Sequence, residues 1–167
     1  ADADFEMVMS GAGNTWSPVK VSKGTKTSVP GVSTTPIDYK HQQDALLVEF
    51  SGEPAQIYVR MLEDDTLDAR GYISSGGHLV FDIDLISEPP AELKLAMHCT
   101  WPCMGEISLI DFLPDVNSTS ESSWTTVKIP LSKFDEAGAD FINLSSPFLI
   151  YSEQPVKFRL GNIRFQP

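Results

Sequence analysis

Two carboxylates, Asp82 and Asp84, stand one residue apart in the run His78-Leu79-Val80-Phe81-Asp82-Ile83-Asp84-Leu85. On a strand, alternate side chains share a face and sit about 6.5 to 7 Å apart. That falls within the roughly 5 to 10 Å that separates the paired acids of a glycoside hydrolase. Outward acid pairs are also ordinary solvated decoration, and no neighbouring residue marks one carboxyl as raised in pKa, so a non-catalytic pair is expected. Tyr58 and Arg60 share one face of a second run, and His98 and Trp101 follow each other in Leu93-Lys94-Leu95-Ala96-Met97-His98-Cys99-Thr100-Trp101-Pro102-Cys103. Aromatic rings stack on the C–H faces of sugars and planar polar groups take their hydroxyls. Tyr58, Arg60, Asp82, Asp84, His98 and Trp101 are therefore one candidate carbohydrate-binding group, provided that the strand of Asp82 pairs with the strand of His98. Against this stands a plain solvated sheet face, with Trp101 tucked under its own loop.

Cys99 and Cys103 have two readings. With His98 they offer three metal ligands, but two adjacent residues reach one tetrahedral ion poorly and no fourth ligand is apparent, which argues against zinc. A disulfide closing the Trp101-Pro102 loop is expected if the chain lives in an oxidising compartment.

These residues need strands to position them, and the sequence is rich in strand patterns. Leu46, Val48 and Phe50 alternate with polar neighbours, Ser51-Gly52-Glu53-Pro54 makes a turn, and Ile57, Val59 and Met61 alternate with Gln56, Tyr58 and Arg60. Leu79, Phe81, Ile83 and Leu85 form the apolar side of the next strand, Pro89-Pro90 interrupts it, and Leu93, Leu95 and Met97 resume. Val127, Ile129 and Leu131 share a face, with Pro130 placing that strand at an edge or bend. In the last strand Gly161-Asn162 shifts the phase, the signature of a bulge. No convincing amphipathic helix is present. The expected fold is an all-β, two-sheet antiparallel β-sandwich of jelly-roll type, with Phe50, Val59, Phe81, Ile83, Leu95, Val127, Ile129 and Phe158 in one core. Residues 1–40, with Pro18, Pro30 and Pro36 among many Ser and Thr, read as an extended N-terminal arm or inter-domain join, and 41–167 as the sandwich.

A chain of 167 residues that is 41% hydrophobic is one domain with a real core. Its net charge of −11 argues against nucleic acid or an anionic membrane as partner. No apolar run approaches the ~20 residues of a membrane helix, so no membrane insertion is expected. The absence of a signal-peptide pattern and the start at Ala1 suggest a processed or excised piece.

The runs HQQDALLVEFSG, GGHLVFDIDL, LKLAMHCTWPCMGEISL, SWTTVKIPLSKF and SPFLIYSEQPVKFRLGNIRF resemble the C-terminal galactose-binding-like domain of family 3 glycoside hydrolases, as found in bacterial exo-1,3/1,4-β-glucanases. The most specific parts are Cys99-Thr100-Trp101-Pro102-Cys103-Met104-Gly105-Glu106 and the late Trp124-x-x-Val127-x-Ile129-Pro130-Leu131. The resemblance runs from about His41 to Phe165, and residues 1–40 would be the join to catalytic domains. It implies a non-catalytic accessory domain that binds or positions β-glucan, in a secreted, periplasmic or cell-surface bacterial protein. The parent would be a family 3 β-glucosidase or exo-β-glucanase, with its catalytic domains as partners. A structural domain that docks on those domains without binding sugar is the alternative.

Jelly rolls of this kind often carry a structural calcium where the first and last strands meet, and calcium takes hard oxygen ligands. Gln43, Asp44 and Asn162 are the candidate positions for it, with Glu63, Asp64 and Asp65 a second option, and solvated surface charge is the competing and favoured account of either group. The sequons at Asn117 and Asn143 are read as chance triplets.

Overall fold

Leu79, Phe81 and Ile83 turn inward from one strand, and Leu95 and Met97 from the next, but these two strands lie in different sheets. The structure, a computed structural model, describes residues 5–39, 42–62, 65–113 and 124–167, with only the backbone for 39 and 42–44. Among these residues the strands are β1 (Phe5–Gly11), β2 (Val19–Lys20), β3 (Thr27–Val29), β4 (Val32–Tyr39), β5 (Gln42–Phe50) and β6 (Ala55–Met61). They continue as β7 (His78–Leu85), β8 (Lys94–Cys99), β9 (Met104–Ser108), β10 (Thr125–Pro130), β11 (Leu144–Ser152) and β12 (Val156–Gln166). Short helices α1 (Arg70–Ser74) and α2 (Leu131–Glu136) interrupt them.

The first sheet has the order β2-β1-β6-β11-β8-β9 and the second β10-β7-β12-β5-β4-β3. All pairings between named strands are antiparallel. The fold is thus the expected all-β sandwich. Phe50, Phe81, Ile83, Leu95, Val127, Ile129 and Phe158 are buried in one cluster, with Val59 packed at its margin. Phe81 meets Phe148 edge to face across the two sheets, with ring centroids 5.3 Å apart. Pro130 ends the edge strand β10, where a missing backbone donor costs least. The register of β12 against β7 slips between Gly161 and Arg164, where the phase shift predicted a bulge.

The N-terminal residues differ from expectation. Residues 5–39 do not drape over a body as an arm: they supply β1 to β4. β1 sits between β2 and β6, paired from Phe5↔Met61 to Gly11↔Ala55, and β4 runs along β5 from Val32↔Phe50. The Ser, Thr and Val content that reads as extended chain equally suits a sheet once partners from later in the sequence are at hand. Between the sheets the apolar space opens at one end into a cleft of about 1130 Å3, lined by Met7, Val59, Met61, Leu160 and Phe165 among others. Among the described residues no helix is long and apolar enough to cross a membrane.

Candidate functional site

The outer face of the first sheet gathers aromatic and planar polar side chains. Strand register builds it in rows, since directly paired residues point to the same side. One row runs Val8, Tyr58, Leu149, Ala96, Glu106, and the next runs Ser10, Gln56, Tyr151, Lys94, Ser108. Toward the other end of the strands Glu6 pairs with Arg60, and His98 with Met104. Tyr58 and Tyr151 are diagonal neighbours across β6 and β11, a spacing of about 7 to 8 Å that long side chains bridge.

Trp16 joins this face from the loop after β1. Its ring lies on that of Tyr151, with centroids 6.1 Å apart and planes inclined by 29°, and it remains 41% exposed. The local sequence accounts for the reach of this loop. Asn14 accepts a hydrogen bond from the Gly11 amide (3.0 Å), and the Trp16 amide donates to the Gly11 carbonyl (2.8 Å). Thr15 and Trp16 both take left-handed backbone conformations, φ 55° and 59°. For residues with Cβ atoms this is uncommon and costs of order 1 kcal/mol or more each, so surrounding contacts must hold it.

Polar groups on the face are tied to one another. Gln56 Nε2 donates to Ser10 Oγ (3.1 Å), and Ser10 also shares a hydrogen bond with Tyr58. Burial pushes the Tyr58 phenol up, a rise that nearby Arg60 partly opposes. Tyr151 is pushed up to about 12, chiefly by burial, with its hydroxyl donating to Glu153 Oε1 at 2.6 Å. Arg60 Nε donates to Glu6 Oε1 at 2.7 Å, and Lys20 Nζ lies 4.0 Å from the other Glu6 oxygen. Burial lowers the pKa of His98 and so favours its neutral form. An aromatic strip beside fixed amide and guanidinium donors is suited to a neutral, hydroxyl-rich ligand.

The six residues expected to converge do not all do so. Tyr58, Arg60 and His98 share the outer face of the first sheet, whereas Asp82 and Asp84 lie on β7 in the second sheet. The expectation required their strand to pair with that of His98, but β7 pairs with β10 and β12, and β8 with β9 and β11. The two acids are not solvated either. Asp82 is 7% exposed and accepts from Thr126 Oγ1 (2.7 Å) and Asn162 Nδ2 (3.5 Å). Asp84 is 3% exposed and accepts from Arg159 Nη1 (2.7 Å). Each acid is thus satisfied by neighbouring strands, a structural role.

Trp101 is 80% exposed at the tip of the β8–β9 loop, not folded beneath it. Cys99 and Cys103 form a disulfide that closes this loop, with Cα atoms 4.9 Å apart. The Thr100 amide donates to the Asn143 carbonyl (3.2 Å), which ties the loop to the segment before β11. Of the expected calcium ligands, Asn162 lies next to the β12 bulge and directs its amide nitrogen, not its oxygen, toward Asp82. The side chains of Gln43 and Asp44 lie outside the described residues, as do Glu63, Asp64 and the Asn117 sequon. Among the described residues no group of three His, Cys, Asp or Glu side chains is placed to hold a metal.

Trp16, Tyr151 and Gln56 were not among the expected site residues. Tyr151 was within reach of sequence reasoning, because Phe148 and Ile150 face the core and leave Leu149 and Tyr151 outward. Trp16 was not, since nothing in its own segment names Tyr151 as its partner.

A two-sheet antiparallel sandwich with these strand orders is a galactose-binding-domain-like fold. The chain belongs to the Exop_C family, described as galactose-binding domain-like, whose model matches residues 5–165. Among solved structures, it is similar to the extra C-terminal domain of the exo-1,3/1,4-β-glucanase ExoP from a Pseudoalteromonas species, at 14% identity and TM-score 0.71, covering 98% of this chain and 86% of that one. Against the longer ExoP chain the figures are 16% and 0.73, with 98% of this chain covered but 19% of ExoP, so it spans about a fifth of that enzyme. The family 30 module of the cellulosomal cellulase Cel9D-Cel44B of Clostridium thermocellum matches at 14% identity and TM-score 0.64, covering 87% and 88%. A family 11 module from the same organism, in complex with a β-1,3-1,4-mixed-linked tetrasaccharide, matches at 16% and 0.52, covering 98% and 95%. At such identities these likenesses establish the fold. No curated protein matches the sequence.

Proposed function

We propose that this domain binds β-glucan on the outer face of its first sheet and holds the polysaccharide near the catalytic domains of a β-glucan-degrading hydrolase. The observation that carries this reading is the Trp16–Tyr151 stack beside Tyr58, an aromatic strip maintained at the cost of two left-handed residues. Strained backbone of that kind clusters at ligand clamps, where it preorganises a side chain. The oligosaccharide held by the family 11 module and the β-glucanase that carries the ExoP domain support the choice of glycan. On this reading the parent is a family 3 β-glucosidase or exo-β-glucanase. The disulfide supports a secreted, periplasmic or cell-surface location. A structural calcium at the β5–β12 junction, held by Gln43, Asp44 and Asn162, is part of the same proposal, and a chelator that leaves the melting temperature unchanged would remove it.

Calorimetric titration with mixed-linkage β-glucan oligosaccharides tests the binding site. Trp16→Ala removes apolar stacking area on the order of 1 to 2 kcal/mol, so affinity should drop by roughly ten-fold with no loss of fold. Unchanged affinity in both Trp16→Ala and Tyr58→Ala would move the site elsewhere. The docking alternative has its own support in Trp101, 80% exposed on a pinned loop beside a segment that exposes Ile142 (47%). If the wild type binds no glycan, that loop becomes the place where the domain meets its catalytic neighbour.

A further inference from the structure

We infer that Arg60, pinned by Glu6, reads the linkage of the bound glucan by selecting glucosyl units whose O2 and O3 are both free. This rests on the proposed glycan face and names a selectivity within it. Arg60 follows Tyr58 by two residues on β6, so its side chain leaves the same face about 6.5 to 7 Å further along the strand. Its Nε donates to Glu6 Oε1 at 2.7 Å, and Glu6 is well covered, its side chain 15% exposed against 38% for Arg60. Glu6 therefore acts as a positioning residue that anchors the guanidinium through its Nε–H and leaves both Nη groups directed away from it. Among the described residues the two Nη groups take no hydrogen-bond partner.

A planar fork held this way presents two nearly parallel N–H donors, which fit two acceptors on adjacent atoms. Within a glucan chain, a 4-linked glucosyl unit keeps its O2 and O3 hydroxyls, which stand on adjacent carbons. A 3-linked unit gives O3 to the glycosidic bond, and its remaining O2 and O4 are separated by the substituted carbon. The fork can thus make two hydrogen bonds to a 4-linked unit and one to a 3-linked unit. The aromatic strip does not discriminate in this way, because both linkages leave C–H faces to stack.

The test is calorimetric titration of the whole 167-residue chain with cellohexaose and with laminarihexaose, for the wild type, Arg60→Lys and Trp16→Ala. One hydrogen bond to a charged donor corresponds to roughly a ten-fold preference of the wild type for cellohexaose. Arg60→Lys keeps the charge but lacks the fork, so it should bring the affinity ratio close to one while laminarihexaose binding changes by less than about two-fold. Trp16→Ala should weaken both ligands alike. A thermal melt of Arg60→Lys close to that of the wild type would establish that the ratio reports recognition and not damage. A wild type that binds the two hexaoses equally, or an Arg60→Lys ratio equal to the wild-type ratio, overturns the linkage reading and leaves the aromatic face standing. A wild type that binds neither overturns both.

Discussion

On the proposed binding face, Tyr151 is the residue whose protonation is most displaced, because burial and its hydrogen bond to Glu153 both favour the neutral form. An unfolded chain releases a tyrosine proton near pH 10, whereas folded Tyr151 holds its proton to about 12. Between those values the unfolded state binds fewer protons, so the stability from Tyr151 is fully present below about pH 10 and is lost as pH rises through about 12. Tyr58, raised chiefly by burial, acts in the same direction. Urea midpoints compared at about pH 9 and about pH 11 should therefore fall, and Tyr151→Phe should show a smaller fall. An equal decline in that variant would free Tyr151 of the effect. The other polar residues that matter at this scale are Asp82 and Asp84, whose buried carboxylates owe their tolerance to Thr126, Asn162 and Arg159, since a buried charge without partners is prohibitively costly.

The element that shapes the proposed binding face is the loop from Gly11 to Ser17. It leaves β1, turns through a short 3-10 segment at Ala12–Asn14 and is tied to the β5–β6 turn by the Ala12 amide donating to the Pro54 carbonyl (3.0 Å). Gly11 itself has an extended backbone that any residue adopts, φ −153°, so its requirement is one of space. A methyl group there would run into the Pro30 carbonyl oxygen and approach that of Pro54 to 3.2 Å. Gly11→Ala must push the β3–β4 turn and this loop apart, at a cost of about 1 to 3 kcal/mol, and the displacement carries Trp16 off Tyr151. Both a lower melting temperature and weaker glucan binding are expected. A variant that melts like the wild type would show that the turn gives way without cost. The β8–β9 loop is held differently, by the Cys99–Cys103 bond and by hydrogen bonds to the segment before β11, and it keeps Trp101 in solvent.

At the scale of the whole molecule, the N-terminal strands are parts of both sheets. β1 lies inside the first sheet and places Met9 and Val8 in fully buried positions, while β4 covers β5 in the second. A chain restricted to residues 41–167 would expose the edge of β6, leave Ile57 and Phe50 partly uncovered and lose the Glu6 partner of Arg60. It should fail to show a cooperative thermal transition by circular dichroism, or melt far below the full chain. A sharp transition near that of the full chain would instead support residues 1–40 as a dispensable arm.

The strand alternation, the apolar members of the core, the bulge near Gly161 and the pair Cys99–Cys103 were all legible in the sequence, because each is a local property. A period of two reports which face of a strand is apolar, and a four-residue separation reports which thiols can meet. Sheet partnership is not local. Backbone hydrogen bonds are alike for every residue, so alternation says that His78–Leu85 and Lys94–Cys99 are strands but not that they belong to opposite sheets. That is why Asp82 and Asp84 parted from His98, and why Tyr151 and Trp16, far apart in the chain, came to share one face. The same limit hid the N-terminal strands, whose partners β5 and β6 follow them in sequence but whose pairing only the closed sandwich enforces, by giving Met9 and Val32 a core to enter.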